Sequence, residues 1–196
     1  LTPAMICELH RIVTEKTLDD PEGAGRIRTT DDVEIIDKQG NVLHSPPKAE
    51  ELPERLNIVC DFANGLDTGS FVHPVVRAIL LHFMLAYDHP FVDGNGRTAR
   101  ALFYWSMAKA NYRLVEFVSI SQIIKESPMQ YARAFLYTET DGNDMTYFII
   151  HQLHIIQRAI EALHEYLGRK MGEVQSASQL LANTRWEGSL NDRQLS

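Results

Sequence analysis

The sequence is poor in cysteine, poor in basic side chains and free of long uninterrupted apolar runs. Its 196 residues include only Cys7 and Cys60, which excludes a disulfide scaffold and a cysteine-based metal site. So few cysteines suit a reducing compartment, and we expect a cytoplasmic protein. The most apolar stretch, Val72 to Tyr87, is interrupted by histidine, proline and arginine and is too short to span a bilayer, so it predicts a buried helix and no membrane partner.

Basic residues are outnumbered by acidic ones, 19 against 26, which gives a net charge of −7. A domain that binds nucleic acid across its surface needs the opposite sign, so DNA and RNA are poor candidates for the main partner. With 44% hydrophobic residues, 11 glycines and 8 prolines, the chain is neither collagen-like nor disordered. It is long enough to form one domain with a sizeable core.

Helical periodicity dominates the chain. A first helix is predicted over residues 4–18 from the apolar stripe Met5, Ile6, Leu9, Ile12 and Val13. Further helices are predicted over about 48–64, 73–87, 96–111, 119–137, 144–168 and 173–185. One short hairpin is expected before them, because β-branched residues flank a turn at 38–41. The predicted fold class is therefore all-α with one β-hairpin.

One segment of twelve residues, His89 to Arg100, differs from its surroundings. Pro90 disfavours helix at the residue before it, and a new apolar-periodic run follows, so the segment forms a loop that leads into a helix. Gly94 and Gly96 let the backbone approach a ligand closely. Free N–H groups at such a turn, with the helix dipole behind them, form an anion site.

The charged side chains of this segment suit a metal-bound polyphosphate. Arg97 and Arg100 are three positions apart, so both can lean over the same side of the helix start. Asp93 is a candidate to hold Mg²⁺ against phosphate oxygens. His89 is the only group in the segment that titrates near neutral pH, which makes it the candidate general base.

Each of these features has a simpler structural interpretation when taken alone. A Gly-Asn-Gly turn is usually only a turn, a lone histidine at a helix end usually caps or packs, and a pair of arginines usually faces solvent. Phe91 is interpreted as a core anchor for the loop. The occurrence of all these features within one short segment favours phosphate chemistry.

The segment resembles the signature of the Fic family, H-x-F-x-[DE]-G-N-G-R-x-x-R, and fills every specified position. The hairpin region resembles the family's flap, and residues 142–146 resemble its G-D-x-T turn with one residue inserted. The resemblance covers about residues 1–170 and implies a Fic-type helical bundle with one β-hairpin flap. The expected organisation is a Fic domain over 1–188, with the flap at about 25–45 and the catalytic loop at 89–100.

Fic proteins mostly transfer AMP from ATP to a hydroxyl of a target protein and release pyrophosphate, so the resemblance implies an adenylyltransferase. In that reaction His89 would deprotonate the target Ser, Thr or Tyr hydroxyl, and Asp93 would position Mg²⁺ on the phosphates. Arg97 and Arg100 would hold the β- and γ-phosphates, with Arg100 nearer the γ-phosphate. The anion hole would consist of Gly94, Asn95 and Gly96. Such donors would stabilise the charge that develops at the α-phosphate.

Two further regions carry contacts that the resemblance implies. Tyr131 matches a family tyrosine near the adenine, although a half-buried helix aromatic explains it equally well. The flap strand at about Val33–Ile36 would pair with an extended segment of the target protein, with a plain surface hairpin as the alternative. A homodimer is compatible with an acidic helical domain, although no patch in the sequence marks an interface.

Two other functions remain open. Some family members transfer another nucleotide, phosphate or phosphocholine, although they often depart from the signature that this chain keeps. Alternatively, the nucleotide serves a regulatory or transcription-linked module. Residues 189–196 resemble the truncated start of a winged-helix domain, and nucleic acid would bind only through such a missing C-terminal domain.

Many Fic proteins are restrained by a helix carrying [ST]-x-x-x-E-[GN], whose glutamate pairs with the second arginine of the signature. Two near-matches, Leu18–Gly23 and Asn183–Gly188, begin with the wrong residue. Relatives with the N-terminal form carry this helix well upstream of the flap. We therefore expect the natural chain to be longer at its N-terminus and this sequence to lack the inhibitory helix.

Overall fold

The fold was analysed from a computed structural model that describes residues 1–36, 40, 42–66, 69 and 71–182. Within these residues it contains seven α-helices and one two-stranded antiparallel sheet. The helices are α1 (Pro3–Val13), α2 (Leu52–Asn64), α3 (Pro74–Asp88), α4 (Asn95–Lys109), α5 (Ile120–Glu126), α6 (Pro128–Thr140) and α7 (Thr146–Ala182). The strands are β1 (Ile35–Ile36) and β2 (Val42–His44). The prediction of an all-α fold with one hairpin is confirmed.

Helices α3 and α4 form the centre of the molecule because both contribute to each of two apolar clusters. The first cluster packs them against α1 and α2, around Ile6, Leu56, Leu81, Phe91 and Leu102. The second packs them against α5, α6 and α7, around Ile79, Phe83, Phe103, Ile120 and Phe148. The loop that joins α3 to α4 is therefore fixed at both ends by buried helices.

Two predicted helix boundaries were wrong. The helix expected over 119–137 is broken into α5 and α6 at Ser127, because Pro128 disfavours helical backbone at the residue before it and lacks an N–H. The helices expected over 144–168 and 173–185 are one continuous helix, α7. Gly168 and Gly172 lie inside it, where each costs about 1 kcal/mol relative to alanine without ending the helix.

The first helix differs from its prediction in length and in the face that it buries. It ends at Val13, and Met5 and Ile12 of the predicted apolar stripe are 50% and 55% exposed. Ile6 of the stripe is completely buried, and it shares the inward face with His10, which is 1% exposed and was not part of the predicted stripe. The imidazole of His10, one helical turn after Ile6, is therefore part of the buried face of α1.

The flap hairpin is shorter than predicted. Ile35 pairs with His44 and Ile36 with Val42, while Val33 lies before the strand. None of the helices in the described part of the chain is both long enough and apolar enough to cross a membrane.

The base of the flap is held by Arg28, whose side chain is 1% exposed. Its guanidinium donates to the carbonyl of His89 at 2.9 Å, to that of Thr30 at 2.8 Å and to that of Pro47. Because the first of these carbonyls belongs to the α3–α4 loop, Arg28 ties the flap directly to the loop. Sequence analysis gave this residue no such role.

Several sequence-based predictions fall outside the described residues. These are most of the hairpin turn at 38–41, the near-match at Asn183–Gly188 and the winged-helix start at 189–196. The other near-match, Leu18–Gly23, ends in a short 3₁₀ turn, and its glutamate Glu22 pairs with Arg26 at 3.0 Å.

The buried imidazole of His82 makes the stability of the fold sensitive to acid. Burial, with smaller contributions from the nearby charges of Arg100 and His151, lowers the pKa of His82 to about 3. The unfolded chain takes up this proton near pH 6.5. The free energy of unfolding should therefore fall as pH drops from about 6.5 towards 3, by up to ~1.4 kcal/mol per pH unit from this group.

Urea unfolding of His82→Gln between pH 7.5 and 4.5 checks this prediction. The free energy of unfolding of the variant should depend less steeply on pH than that of the parent chain, by the uptake of about one proton on unfolding. The exposed His164→Gln serves as the control and should keep the parent slope. Equal slopes in all three chains would show that His82 is not the group responsible.

Candidate active site

The loop from His89 to Gly94 is shaped by the backbone of its first residue and by the side chain of Asn95, which follows it. His89 takes a left-handed backbone conformation, with φ of 45°, and ends α3 before Pro90. The buried amide of Asn95 then clamps the loop. It donates to the carbonyl of Phe91 at 2.7 Å and accepts the N–H of the same residue at 2.9 Å. The side chain of Asn95 therefore shapes the loop, and only its backbone N–H can serve a ligand.

His10 supports the loop from α1. Its ring stacks on Phe91 with centroids 3.8 Å apart. Nδ1 accepts the N–H of Gly25 at 2.8 Å, so the proton lies on Nε2, which donates to the carbonyl of Asp93 at 2.9 Å. Burial lowers the pKa of His10, in keeping with this neutral form. Sequence analysis missed this residue, and its only signal was a histidine four positions after Ile6.

Gly94 is required where the loop meets α1. Its φ is +83°, and a β-carbon there would lie 2.5 Å from Cγ2 of Thr14 and 2.9 Å from Nε2 of His10. A residue with a side chain would therefore push the loop away from α1. The close contact fixes the direction in which α4 begins.

The first turn of α4 presents free backbone donors. Among the described residues, no acceptor receives the N–H groups of Asn95, Gly96 and Arg97, which precede the first intrahelical bond from Thr98 to Gly94 at 3.0 Å. Such donors at a helix N-terminus carry a partial positive charge and favour an anion. The geometry of this turn is therefore suited to an anion.

Arg100 extends from α4 back towards this turn. A β-carbon at Gly96 would lie 3.1 Å from Nη1 of Arg100, so the glycine leaves the room that the guanidinium occupies. Arg100 is partly buried, and its guanidinium forms no hydrogen bond or ion pair with any residue in the described ranges. Its charge is felt at His82, where it adds to the larger effect of burial in lowering the pKa, and at Tyr104 and Tyr131, where burial raises the pKa and Arg100 opposes that rise. A partly buried cation without a carboxylate partner is suited to bind an anion.

Asp93 and Arg97 lie together at the outer rim of the loop. Arg97 donates to Oδ2 of Asp93 at 2.9 Å and also contacts the hydroxyl of Thr17. The other carboxylate oxygen accepts the N–H of Gly94 at 2.5 Å. The Asp93 side chain is 63% exposed and can therefore reach a ligand from solvent.

The donor set around Asp93 fits magnesium held jointly with a phosphate ligand. The described residues contain no group of three or more His, Cys, Asp or Glu side chains that could form a protein-only metal site. Mg²⁺ commonly binds through one or two carboxylates together with phosphate oxygens and waters, so the exposed carboxylate of Asp93 suits that mode.

The imidazole of His89 is held in the tautomer that a general base needs. Nδ1 lies 3.2 Å from the carbonyl of Ala86, and because a carbonyl only accepts, this nitrogen carries the proton. Nε2 therefore keeps its lone pair. Burial lowers the pKa of His89, and the nearby charges of His44 and Arg28 lower it further, against smaller opposing effects of Ala86 and Asp93. The ring is thus neutral near pH 7 and can accept a proton.

A cavity of about 230 Å³ lies between the flap, α3, α4 and α6. Its lining is largely apolar and consists of Ile35, Leu43, His44, Ala86, His89, Gly96, Tyr131, Ala132 and Phe135. The volume is below the roughly 300–1,000 Å³ that drug-sized ligands fill, so it suits one part of a larger ligand.

Tyr131 lies between the cavity and the helical core. Its ring borders the cavity, while its hydroxyl lies 3.0 Å from Nε2 of the fully buried His82. Burial raises the pKa of this tyrosine, so the hydroxyl remains protonated. The residue is therefore a half-buried helix aromatic that also offers a ring face to the cavity.

The structure brings most of the predicted site residues to one end of the α3–α4 pair. His89, Gly96 and Tyr131 line the cavity, Arg100 reaches the same helix start, and Asp93 with Arg97 forms the outer rim. The exception is the side chain of Asn95, which is turned into the loop.

A family model described as "Fic/DOC family" matches residues 1–107. The chain is 38% identical over 107 residues to "Protein adenylyltransferase Fic" of Nematostella vectensis, covering 55% of this chain and 23% of the relative. It is also 38% identical over 108 residues to "Protein adenylyltransferase fic-1" of Caenorhabditis elegans, covering 55% and 19%. The matched region thus spans about a fifth of the length of these relatives.

Solved structures share the fold. A Fic family protein from Desulfovibrio desulfuricans superposes with a TM-score of 0.69 at 21% identity, covering 99% of this chain and 55% of that one. A Fic domain containing signaling protein from Bacteroides thetaiotaomicron gives a TM-score of 0.52 at 25% identity, covering 83% and 62%. With the family model matching more than half of its residues and the loop geometry described above, the chain belongs to the Fic/DOC family.

Proposed function

We propose that this chain transfers AMP from ATP to a Ser, Thr or Tyr hydroxyl of a target protein and releases pyrophosphate. One observation carries the proposal: a neutral histidine with a free Nε2 lies next to a helix start that has three N–H groups without an acceptor. An arginine of the same helix has no carboxylate partner, and both absences hold for the part of the chain that the structure describes. The names of the relatives, protein adenylyltransferases, support the same reaction.

The first turn of α4 would receive the phosphates of ATP. The N–H groups of Asn95, Gly96 and Arg97 would donate to phosphate oxygens, and the arginine side chains would hold the β- and γ-phosphates, with Arg100 nearer the γ-phosphate. Donors fixed before the reaction stabilise the charge that develops at the α-phosphate without reorganisation. The apolar cavity beside Tyr131 would receive the adenine of ATP.

Asp93 would hold magnesium on the phosphate chain, since its carboxylate is exposed at the rim of the loop. When bound, the ion supplies positive charge that offsets the charge on the phosphates. Arg97 would then exchange its contact with the carboxylate for contacts with phosphate, because both ligands compete for one guanidinium.

His89 would act as the general base. Its Nε2 takes the proton of the target hydroxyl while the hydroxyl oxygen forms a bond to the α-phosphorus. The bond between the α-phosphorus and the bridging oxygen breaks, and pyrophosphate leaves. The contact with the Ala86 carbonyl keeps a proton on Nδ1, both before the transfer and in the imidazolium that the transfer creates.

The target protein would bind along the flap. The strands are short, and Ile36 and Val42 are 58% and 50% exposed, so the hairpin offers apolar side chains and a free edge to an extended segment. The low cysteine content suits a reducing compartment, and a cytoplasmic location is part of the same proposal.

Intact-mass analysis tests the reaction. The chain is incubated with ATP and Mg²⁺, alone and with a lysate, and an added adenylyl group is sought on the chain and on lysate proteins. Nucleotide binding without any adenylyl product would contradict the enzyme and favour a regulatory nucleotide-binding module.

Replacement of His89 should separate chemistry from nucleotide binding. The left-handed backbone at this position suits asparagine better than alanine, so His89→Asn removes the base with the least backbone strain. We expect transfer to fall about 10²–10⁴-fold, the usual contribution of a general base, with a nearly unchanged Kd for ATP. Labelled-AMP incorporation and calorimetry measure the two quantities.

The exposed His154→Asn provides the matched control and should retain the parent rate. Transfer by His89→Asn at the parent rate would remove His89 from the role of base.

Replacement of Arg100 should weaken the binding of ATP more than the binding of AMP. Loss of a hydrogen bond to a charged group costs about 1.5–3 kcal/mol, so Arg100→Ala should weaken ATP binding about 10–150-fold. AMP lacks the phosphates that this side chain is proposed to hold, and its Kd should change little. Calorimetry with ATP and AMP checks both, and the exposed Arg169→Ala is the control. Equal losses for the two nucleotides would contradict the assignment.

A further inference from the structure

His44, the last residue of β2, connects the flap to two helices. Its side chain is 7% exposed. Nε2 lies 2.7 Å from the carbonyl of Tyr87 at the end of α3, and Nδ1 lies 3.0 Å from a carboxylate oxygen of Glu139 on α6. Both neighbours are hydrogen-bond acceptors. A neutral imidazole has only one N–H, so both contacts are hydrogen bonds only when the ring is a doubly protonated imidazolium.

The charges around His44 favour that protonated form. The ring faces Glu139 from α6, Tyr87 and Asp88 from α3, and His89 from the loop. Asp88 is already paired with Arg55 of α2 at 2.7 Å, and Arg55 also lies 3.9 Å from Glu51. The carboxylate of Glu139 therefore has no competing cation among these groups and serves as the counter-ion of His44.

The pKa of His44 agrees with this geometry. Burial acts to lower it, but the hydrogen bonds to Glu139 and to the Tyr87 carbonyl, with the charges of Glu139 and Asp88, outweigh burial and raise it. Because the pKa is raised, the contact stabilises the fold fully below the unfolded-state value near 6.5, and this stabilisation is lost as pH rises through the higher folded-state value.

Two side-chain attachments of the flap within the described residues differ in character. Arg28 holds its base and stays charged at every accessible pH. His44 holds the returning strand beside the cavity that it shares with His89. Of these two attachments, the one through His44 can respond to pH, because removal of one proton from its imidazolium leaves a nitrogen lone pair facing either a carboxylate or a carbonyl.

We propose that His44 and Glu139 form a clasp, in which the imidazolium holds β2 over the cavity and releases the flap when it loses a proton. His44 is thus a positioning residue, and the effect of the clasp on transfer rests on the proposed function. The clasp should set the alkaline limb of the pH–rate profile, whereas protonation of the base, His89, should set the acid limb.

Nitrogen NMR of the His44 ring tests the clasp without any catalysis. Both ring nitrogens should carry protons below a titration midpoint that lies above the ordinary 6.5 of histidine. Glu139→Gln keeps the size and one acceptor oxygen but removes the charge, so it should move the midpoint downwards. The exposed Glu161→Gln should leave it unchanged. A titration midpoint at or below about 6.5, or a midpoint unaffected by Glu139→Gln, would overturn the proposal.

Amide hydrogen exchange reports the release of the flap. Protection of the β2 amides should fall about tenfold or more as pH passes the midpoint, the size expected when a hydrogen bond to a charged group is lost. In Glu139→Gln the same fall should occur at lower pH. A merely structural contact would lower protection at every pH without moving the midpoint, and that result would overturn the clasp.

The pH profile of labelled-AMP incorporation into the chain itself supplies the link to function. The alkaline limb should shift to lower pH in Glu139→Gln and stay in place in Glu161→Gln. If no chain incorporates AMP, the proposed function fails, and the ring titration and the exchange rates still decide the clasp.

Discussion

The neutral imidazole of His10 is the contact on which the candidate site depends. It stacks on Phe91, donates to the carbonyl of Asp93 and accepts the N–H of Gly25, so one ring joins α1, the α3–α4 loop and the segment that leads to the flap. Both nitrogens are used, and only the tautomer with its proton on Nε2 satisfies both partners. The contact leaves no space for a side chain at Gly94, and α4 must therefore begin where it does.

The polar groups of the loop divide into two sets. His10, Arg28 and the amide of Asn95 find their partners inside the protein, as buried polar groups must. The first N–H groups of α4, the guanidinium of Arg100 and Nε2 of His89 have no such partners among the described residues. The first set holds the backbone rigid, and the second set is available to a ligand. A site whose donors are fixed in this way needs little reorganisation when phosphate binds.

The sequence predicts the parts of the site that lie close together along the chain. The segment from His89 to Arg100 contains the turn, the helix start and the charged side chains, so local rules suffice to anticipate an anion-binding loop. The helix break before Pro128 also follows from local chemistry. The apolar pattern continues across the break, and for that reason one unbroken helix was predicted.

Contacts between segments far apart in the sequence could not be predicted from such local rules. His10 and Asp93, or His44 and Glu139, are brought together only by the packing of the helices, and nothing in their spacing along the chain marks them as partners. Arg28 likewise satisfies carbonyls from three separate segments. These residues form the support of the site, whereas the residues expected to contact the ligand lie mostly in one local motif.

The most direct test of the account compares ATP labelled at the α-phosphate with ATP labelled at the γ-phosphate. The parent chain and His89→Asn are incubated with each nucleotide and Mg²⁺, and label bound to protein is measured after denaturation. The account predicts label on protein from α-labelled ATP only, and its loss in His89→Asn. Label from γ-labelled ATP, or equal incorporation by the two chains, would contradict the transfer of AMP by this loop.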